Sequence, residues 1–185
     1  KDGTDNETFL VIENKTNFRY DMKIYDDQVY FSCGAGGGLF RVDKENTTNP
    51  LFPLYFSEVY TFSIEDGYLY FDEKEPDGKI FLYRINVETG VLYNTTDKIL
   101  STGANYIKNG IVYFDGYSAA GSMDLPVEQG IYSINADGSD PKKLFDGRAS
   151  DIYVSDNYIY CYYPTGGGHL TAYPLENPQK SIKIY

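Results

Sequence analysis

One short pattern, a strand, a tight polar turn and a second strand, is written four times along this chain. It reads "MKIYDDQVYFS" (Met22 to Ser32), "FSIEDGYLYFD" (Phe62 to Asp72), "NYIKNGIVYFD" (Asn105 to Asp115) and "IYVSDNYIYCY" (Ile152 to Tyr162). Asp66-Gly67 and Asn109-Gly110 are the residue pairs that close two-residue type I′ hairpins, because both central positions need positive φ. Two-residue hairpins are therefore expected at Asp26-Asp27, Asp66-Gly67, Asn109-Gly110 and Asp156-Asn157, and each copy becomes a pair of antiparallel strands.

Behind every copy a second phrase recurs: "LFRVD" (Leu39 to Asp43), "FLYRINVETG" (Phe81 to Gly90), "IYSINADGSDPKKLF" (Ile131 to Phe145) and "LTAYPLENPQKSIKIY" (Leu170 to Tyr185). It supplies a third strand, a polar turn and a fourth strand. Anchored on Tyr30, Tyr70, Tyr113 and Tyr160, the units lie 40, 43 and 47 residues apart. That period, with four strands per unit, is the signature of β-propeller blades. Aromatic residues make up 17% of the chain, which suits pleated sheet, and no segment keeps a helical period. Second strands such as "YLYF" and "IVYF" are apolar almost without alternation, as in sheets covered on both faces. A β-sandwich is the alternative that the same short, regular strands allow.

The chain of 185 residues is thus expected to be one all-β, propeller-like domain of about four four-stranded blades. The approximate blades are 21–56, 60–100, 104–146 and 150–185, with an extra N-terminal strand at 8–14. That strand, "FLVIEN" (Phe9 to Asn14), fits the outer strand of a blade whose other strands belong to a larger propeller. It also fits a closing strand laid beside Lys180 to Tyr185 in a compact four-bladed ring. An open arc that dimerises is the third arrangement, so the expected state is a monomer or a dimer.

"YFD" at Tyr70 to Asp72 and at Tyr113 to Asp115, followed by "LYRIN" and "IYSINADGSDPKKL", resembles the blade signature of low-density-lipoprotein-receptor-type (YWTD) propellers. Phenylalanine or another residue replaces the tryptophan throughout. The chain is most similar to bacterial extracellular domains of unknown function that are themselves likened to those receptor propellers, over nearly its whole length. The resemblance implies a bacterial, extracellular or cell-surface location. It departs most in the first and fourth units, where proline-bearing turns replace the aspartate-glycine turn.

With 16 basic against 27 acidic residues the net charge is -11, and no Lys/Arg cluster forms the basic footprint that nucleic acid requires. No apolar run reaches the length of a transmembrane helix, so membrane insertion by this segment is not expected. Cys33 and Cys161 sit near the ends of second strands in the first and fourth units. A disulfide between them needs a closed four-bladed ring and close Cα atoms, whereas an isolated cysteine usually behaves as a small buried hydrophobe. Asn6, Asn14, Asn46 and Asn94 head Asn-x-Ser/Thr triplets, which are acceptors only in a eukaryotic secretory setting.

Catalytic signals are thin. His169, the single histidine, follows "TGGG" and lacks the partners of a zinc site or a catalytic triad. "GAGGG" (Gly34 to Gly38) is not followed by a helix start, as a phosphate loop would be. "NADGSD" (Asn135 to Asp140) outlines a calcium loop without its closing glutamate and reads first as a polar turn. Glu73 with Glu75, or Asp72 with Asp77, would serve a glycosidase only at a defined separation across a cleft. No catalytic residue, metal or cofactor is assigned.

The position of the loops says more. In an up-and-down blade the second-to-third-strand connections share one rim, here "SCGAGGG", "DEKEPDGK", "DGYSAAGSMDLPVEQG" and "YPTGGGH". Such variable loops carry binding in repeat proteins. Tyr117, Met123, Leu125, Tyr163 and His169 are the candidate ligand-binding residues on that rim. The expected function is a non-catalytic extracellular binding module for a protein or carbohydrate ligand. The alternatives are a polysaccharide hydrolase or lyase using acidic loop residues, and a structural spacer.

Overall fold

A computed structural model of the chain describes residues 20–33, 37–42, 51–59, 61–75, 79–95, 99–118, 129–164 and 167–184. All regular structure among them is β, in four antiparallel four-stranded sheets whose strands follow one another in chain order. Blade 1 comprises β1 (Tyr20–Tyr25), β2 (Gln28–Cys33), β3 (Gly38–Val42) and β4 (Leu51–Tyr55). Blade 2 comprises β5 (Phe62–Glu65), β6 (Tyr68–Lys74), β7 (Ile80–Asn86) and β8 (Leu92–Asn94). Blade 3 comprises β9 (Ile99–Lys108), β10 (Ile111–Ser118), β11 (Gln129–Asn135) and β12 (Lys142–Phe145). Blade 4 comprises β13 (Asp151–Val154), β14 (Tyr158–Tyr163), β15 (His169–Pro174) and β16 (Ile182–Lys183). The third blade starts at Ile99, earlier than its repeat suggested, and its long first strand carries a register shift opposite Phe114 to Gly116.

The turn chemistry explains the hairpins. Asp26 and Asp27, Asp66 and Gly67, and Asn109 and Gly110 all have positive φ, so three hairpins turn as the right-handed strand twist prefers. The fourth also closes on two residues, Asp156 and Asn157, but without positive φ at either. There the Ser155 N–H donates to the Tyr158 carbonyl at 2.9 Å, and the Ser155 hydroxyl accepts from the Tyr158 N–H at 3.1 Å. A serine side chain thus does locally what backbone geometry does in the other three.

Alternation sends residues to opposite sheet faces, and in every blade both faces are apolar. One face, here called trailing, meets the next blade; the leading face meets the previous one. Tyr30 and Leu39 on the trailing face of blade 1 pack with Phe62, Leu69, Phe71 and Ile85 on the leading face of blade 2. Tyr70 and Leu82 of blade 2 pack with Ile107, Val112, Phe114 and Ile134 of blade 3. Tyr113 and Ile131 of blade 3 pack with Ile152, Val154, Ile159 and Cys161 of blade 4. The core is therefore three interblade seams rather than one centre, and the cross-strand pairs fix which residue reaches each seam.

Polar stitches hold the seams in register. Asp21 accepts the Phe62 N–H at 3.1 Å, Asp72 accepts from the Asn105 amide at 3.0 Å, and Asp115 accepts the Ala149 N–H at 3.4 Å. At the hairpin end the residue before each turn reaches the turn of the next blade. The Tyr25 hydroxyl accepts the Gly67 N–H at 2.9 Å, and Glu65 accepts the Asn109 and Gly110 N–H groups at 2.8 and 2.6 Å. Lys108 donates to Asp156 at 2.6 Å.

Among the described residues no extensive contact joins blade 4 to blade 1. The leading face of blade 1 leaves Met22 64% and Ile24 72% exposed, and the trailing face of blade 4 leaves Tyr153 55% exposed. Among the described residues the four blades follow one another as an arc from blade 1 to blade 4. The N-terminal strand expected at 8–14 lies outside the described residues.

The seams make a direct demand on stability. Phe114 is fully buried between blades 2 and 3. Phe114→Ala is expected to cost about 3–5 kcal/mol in denaturant unfolding, as truncation of a buried phenylalanine does. Met22→Ala, on the uncovered end face, is expected to stay within about 0.5 kcal/mol, the usual range for surface changes.

Candidate functional site

The first strands of the four blades, β1, β5, β9 and β13, converge on a cavity of about 850 Å³. Its polar lining includes Asp21, Lys23, Ser63, Asn105 and Asp151; Tyr106, Tyr153, Tyr160 and Tyr162 form an aromatic wall toward blade 4. Most of the polar groups are already engaged. Lys23 pairs with Asp21 at 3.1 Å, the Ser63 hydroxyl donates to Asn105 at 2.8 Å, and Asn105 donates onward to Asp72. Asp151, by contrast, is exposed at the mouth of the aromatic wall.

The wall is continuous. Tyr106 meets Tyr153 edge to face at 5.0 Å between centroids; Tyr153 lies 6.2 Å from Tyr160, and Tyr160 lies 6.0 Å from Tyr158. Burial, reinforced by Tyr153 beside it, holds the Tyr106 phenol above its ordinary range. The hydroxyl is therefore neutral at physiological pH and able to donate or accept a hydrogen bond. A concave space of this size, with aromatic surface and a few polar groups, is the usual form of a binding site.

The rim residues singled out from sequence have different placements. Tyr163 and His169 face each other across β14 and β15 and stack at 4.8 Å with 13° between planes. The Tyr163 hydroxyl bonds the Tyr173 hydroxyl at 2.7 Å, and burial pushes the Tyr163 phenol well above its normal range. Of the two, Tyr163 packs against the seam between blades 3 and 4. Tyr117 lies on β10 opposite Gln129. Met123, Leu125, Asp77, Asn6, Asn14 and Asn46 lie outside the described residues, whereas Asn94 is exposed on β8.

The carboxylates of the rim are also engaged. The Tyr55 hydroxyl donates to Glu73, tying blade 1 to blade 2, and the Tyr83 hydroxyl donates to Glu75 within blade 2. Burial, with Glu75 nearby, raises the Glu73 carboxyl above its usual range, and Tyr83 is pushed up to about 12 by burial and then by Glu75. "NADGSD" folds on its own oxygens: the Ser139 N–H donates to Asp137 at 2.9 Å, and the Asn135 amide donates to the Ser139 hydroxyl at 2.8 Å. Gly138 has φ of +89°, and a Cβ there would meet the Thr95 carbonyl oxygen at 2.2 Å, so this turn requires glycine.

Both cysteines are free thiols. Cys161 lies on the leading face of blade 4 and is fully buried against blade 3. It is therefore turned away from blade 1, which explains why the sequence-level pairing with Cys33 does not form. Sequence reading missed the aromatic wall. Its available signal was that Tyr160 and Tyr162 occupy the positions of Tyr70 and Asp72, so that tyrosines recur along one face of the fourth unit.

No known protein family and no curated protein matches the chain at the sequence level. Its fold is nevertheless that of solved β-propellers. It superposes on a structure from a nidogen/laminin complex with TM-score 0.70 at 10% identity, covering 95% of this chain and 67% of that one. A protein assigned as TolB from Agrobacterium tumefaciens gives TM-score 0.67 at 12% identity, covering 89% and 64% respectively. An oligogalacturonate lyase in complex with manganese gives 0.60 at 14% identity, covering 88% and 52%. The chain thus spans about two thirds or less of these structures. They include the receptor-type propeller that the "YFD" repeats resemble, and both binding proteins and an enzyme share the fold.

Two outcomes test this chemistry. A carboxyl raised by folding adds stability below its unfolded value and loses it as pH climbs through the folded value. The Glu73 contribution to stability should therefore fall as pH rises above the usual carboxylate range, so in urea unfolding Glu73→Gln should gain stability relative to the parent as pH is raised from about 4.5 to neutral. Burial pushes the Cys161 thiol up to about 12, so iodoacetamide at neutral pH should alkylate Cys33 first and reach Cys161 only on unfolding, as read by peptide mass spectrometry.

Proposed function

We propose that this chain is a non-catalytic extracellular or cell-surface binding module that holds a protein or carbohydrate ligand in the cleft at the centre of the arc. The observation that carries this reading is the tyrosine wall of the cleft, from Tyr106 through Tyr153 to Tyr160, with Asp151 exposed beside it. Tyrosine rings offer large contact area with a polar end, and they are rigid enough to cost little entropy on binding.

A hydrolase or lyase needs acid and base groups free to meet a substrate. Here Glu73 and Glu75 each receive a tyrosine hydroxyl, Asp72 takes the Asn105 amide, and His169 is stacked on Tyr163. These engagements favour scaffolding roles for the side chains that an enzyme would have to use.

The test is a screen of the purified chain against a glycan array and a panel of cell-wall and host proteins, with each ligand remeasured on Tyr106→Ala/Tyr153→Ala. Loss of roughly tenfold or more in affinity is expected, the scale of an aromatic contact at a buried centre. Ligands that bind this variant as well as the parent would overturn the placement. Turnover of an acidic polysaccharide with release of unsaturated products would overturn the non-catalytic reading.

A further inference from the structure

Asn109-Gly110, the turn of the third hairpin, is the only asparagine-glycine pair in the chain. Such a pair carries a covalent chemistry of its own: the glycine nitrogen can close a ring on the asparagine side-chain carbonyl carbon, because no Cβ stands in the way. In this turn a Cβ on Gly110 would meet nothing within 4 Å, and Asn109 is exposed. The neighbouring turns are poorer substrates. Asp66-Gly67 offers a carboxylate, a weaker electrophile than an amide, and Asp26-Asp27 and Asp156-Asn157 have no glycine.

What stands against ring closure is the seam between blades 2 and 3. The Gly110 N–H donates to Glu65 of blade 2 at 2.6 Å, and the Asn109 N–H donates to the other oxygen of that carboxylate at 2.8 Å. The Gly110 carbonyl accepts the Ala136 N–H at 2.8 Å, so the reacting peptide is fixed on both sides. From the far side, Lys108 is tied to Asp156 of blade 4. To reach Asn109 Cγ, the Gly110 nitrogen must lose its proton while its peptide plane turns toward the side chain. Turning breaks these bonds, and the Glu65 charge opposes an amide anion developing beside it. Bonds to a charged acceptor are the stronger kind, so the turn stays shut while the two blades stay together.

We propose that Asn109 is a site of spontaneous deamidation that Glu65 locks, so that modification follows opening of the seam between blades 2 and 3. In the open turn the Gly110 nitrogen attacks Asn109 Cγ, its proton passes to solvent hydroxide, and ammonia leaves with a proton from water to give a cyclic imide. Water then adds to either imide carbonyl and opens the ring to aspartate or isoaspartate. The net change is water in and ammonia out. Either product sets a second carboxylate beside Glu65, and isoaspartate also lengthens the backbone of a turn whose geometry fits two residues. Reclosure is opposed, and the modification becomes a one-way record of seam opening. It stands whatever the cleft binds.

The test incubates the 185-residue chain in neutral buffer at physiological temperature and follows Asn109 by peptide mass spectrometry, with a synthetic peptide of residues 106–113 as the unlocked reference. The folded chain should deamidate more slowly than the peptide by roughly tenfold or more, the factor that a bond to a charged group supplies. Glu65→Gln, which removes the charge and one acceptor oxygen, should speed the folded chain roughly tenfold. Ile134→Val thins the same seam and leaves the turn's bonds in place; it should speed deamidation roughly twofold to tenfold and keeps the test open if Glu65→Gln folds poorly. Tyr25→Phe, which removes the hydroxyl on the Gly67 N–H in the seam between blades 1 and 2, should leave the rate unchanged. A slower reaction in Glu65→Gln would make Glu65 the base that drives the chemistry and would overturn the lock, as would equal rates in folded chain and peptide. Equal acceleration by Tyr25→Phe and Ile134→Val would overturn the assignment to this seam, and a peptide that stays intact would overturn the site itself.

Discussion

Everything in this chain depends on the contact between the trailing face of one sheet and the leading face of the next. A four-stranded sheet of this size cannot bury two apolar faces by itself, so each blade is stable only against neighbours. Apolar burial carries most of that stability, at roughly 25 cal/mol per Å². The polar stitches set register more than they add energy. Lys108 to Asp156 is a short ion pair, but the Asp156 side chain is 88% exposed, and such pairs contribute little. The acceptors of backbone N–H groups matter more, because Phe62 and Ala149 would otherwise carry unpaired donors in the seams.

This division explains what could be read from the sequence. Period, strand count and hairpin positions follow from local chemistry: alternation within the strands, and residues that tolerate positive φ at Asp66, Gly67, Asn109 and Gly110. Even the fourth hairpin was legible in place, though not in type, because Ser155 supplies a side-chain bond that no turn dipeptide advertises. The stitches were less legible. The acid that spans a seam comes from the second strand in blades 2 and 3 but from the first strand in blade 1, where Ser32 stands at the aspartate's place and Asp21, opposite it, takes over the bond. Only the cross-strand register brings those two positions together.

The candidate site was harder still, for a related reason. Residues in a seam and residues in a cleft share the same composition, so tyrosine at Tyr70 and at Tyr160 look alike in sequence. Their difference lies in what stands next to them: Tyr70 is closed in by blade 3, while Tyr160 borders the cleft. The rim, in turn, looked functional because its loops vary in length. On that rim Tyr163 and His169 stack on each other, and Tyr163 packs beside the seam between blades 3 and 4, because an aromatic at the end of a strand gains by covering apolar surface.

The Arg84 arrangement shows how a single repeated position can change role along such an array. In blade 2 its guanidinium satisfies three conditions together: two ring faces, and a carbonyl of the next blade that would otherwise face the seam. Each condition depends on a covering blade, because desolvation is what makes a cation over a ring worth more than its value in water. Ser133 in blade 3 can dispense with the cation, since the face there is filled by apolar contact with Ile152 and Ile159. Ala172 has no cation at its place, yet it is buried, with Tyr158 and Tyr160 retained beside it. A solvent-facing sheet would ordinarily carry polar residues on its exposed side. Four tyrosines on one face, next to a carboxylate and around an alanine, keep the composition of the seams.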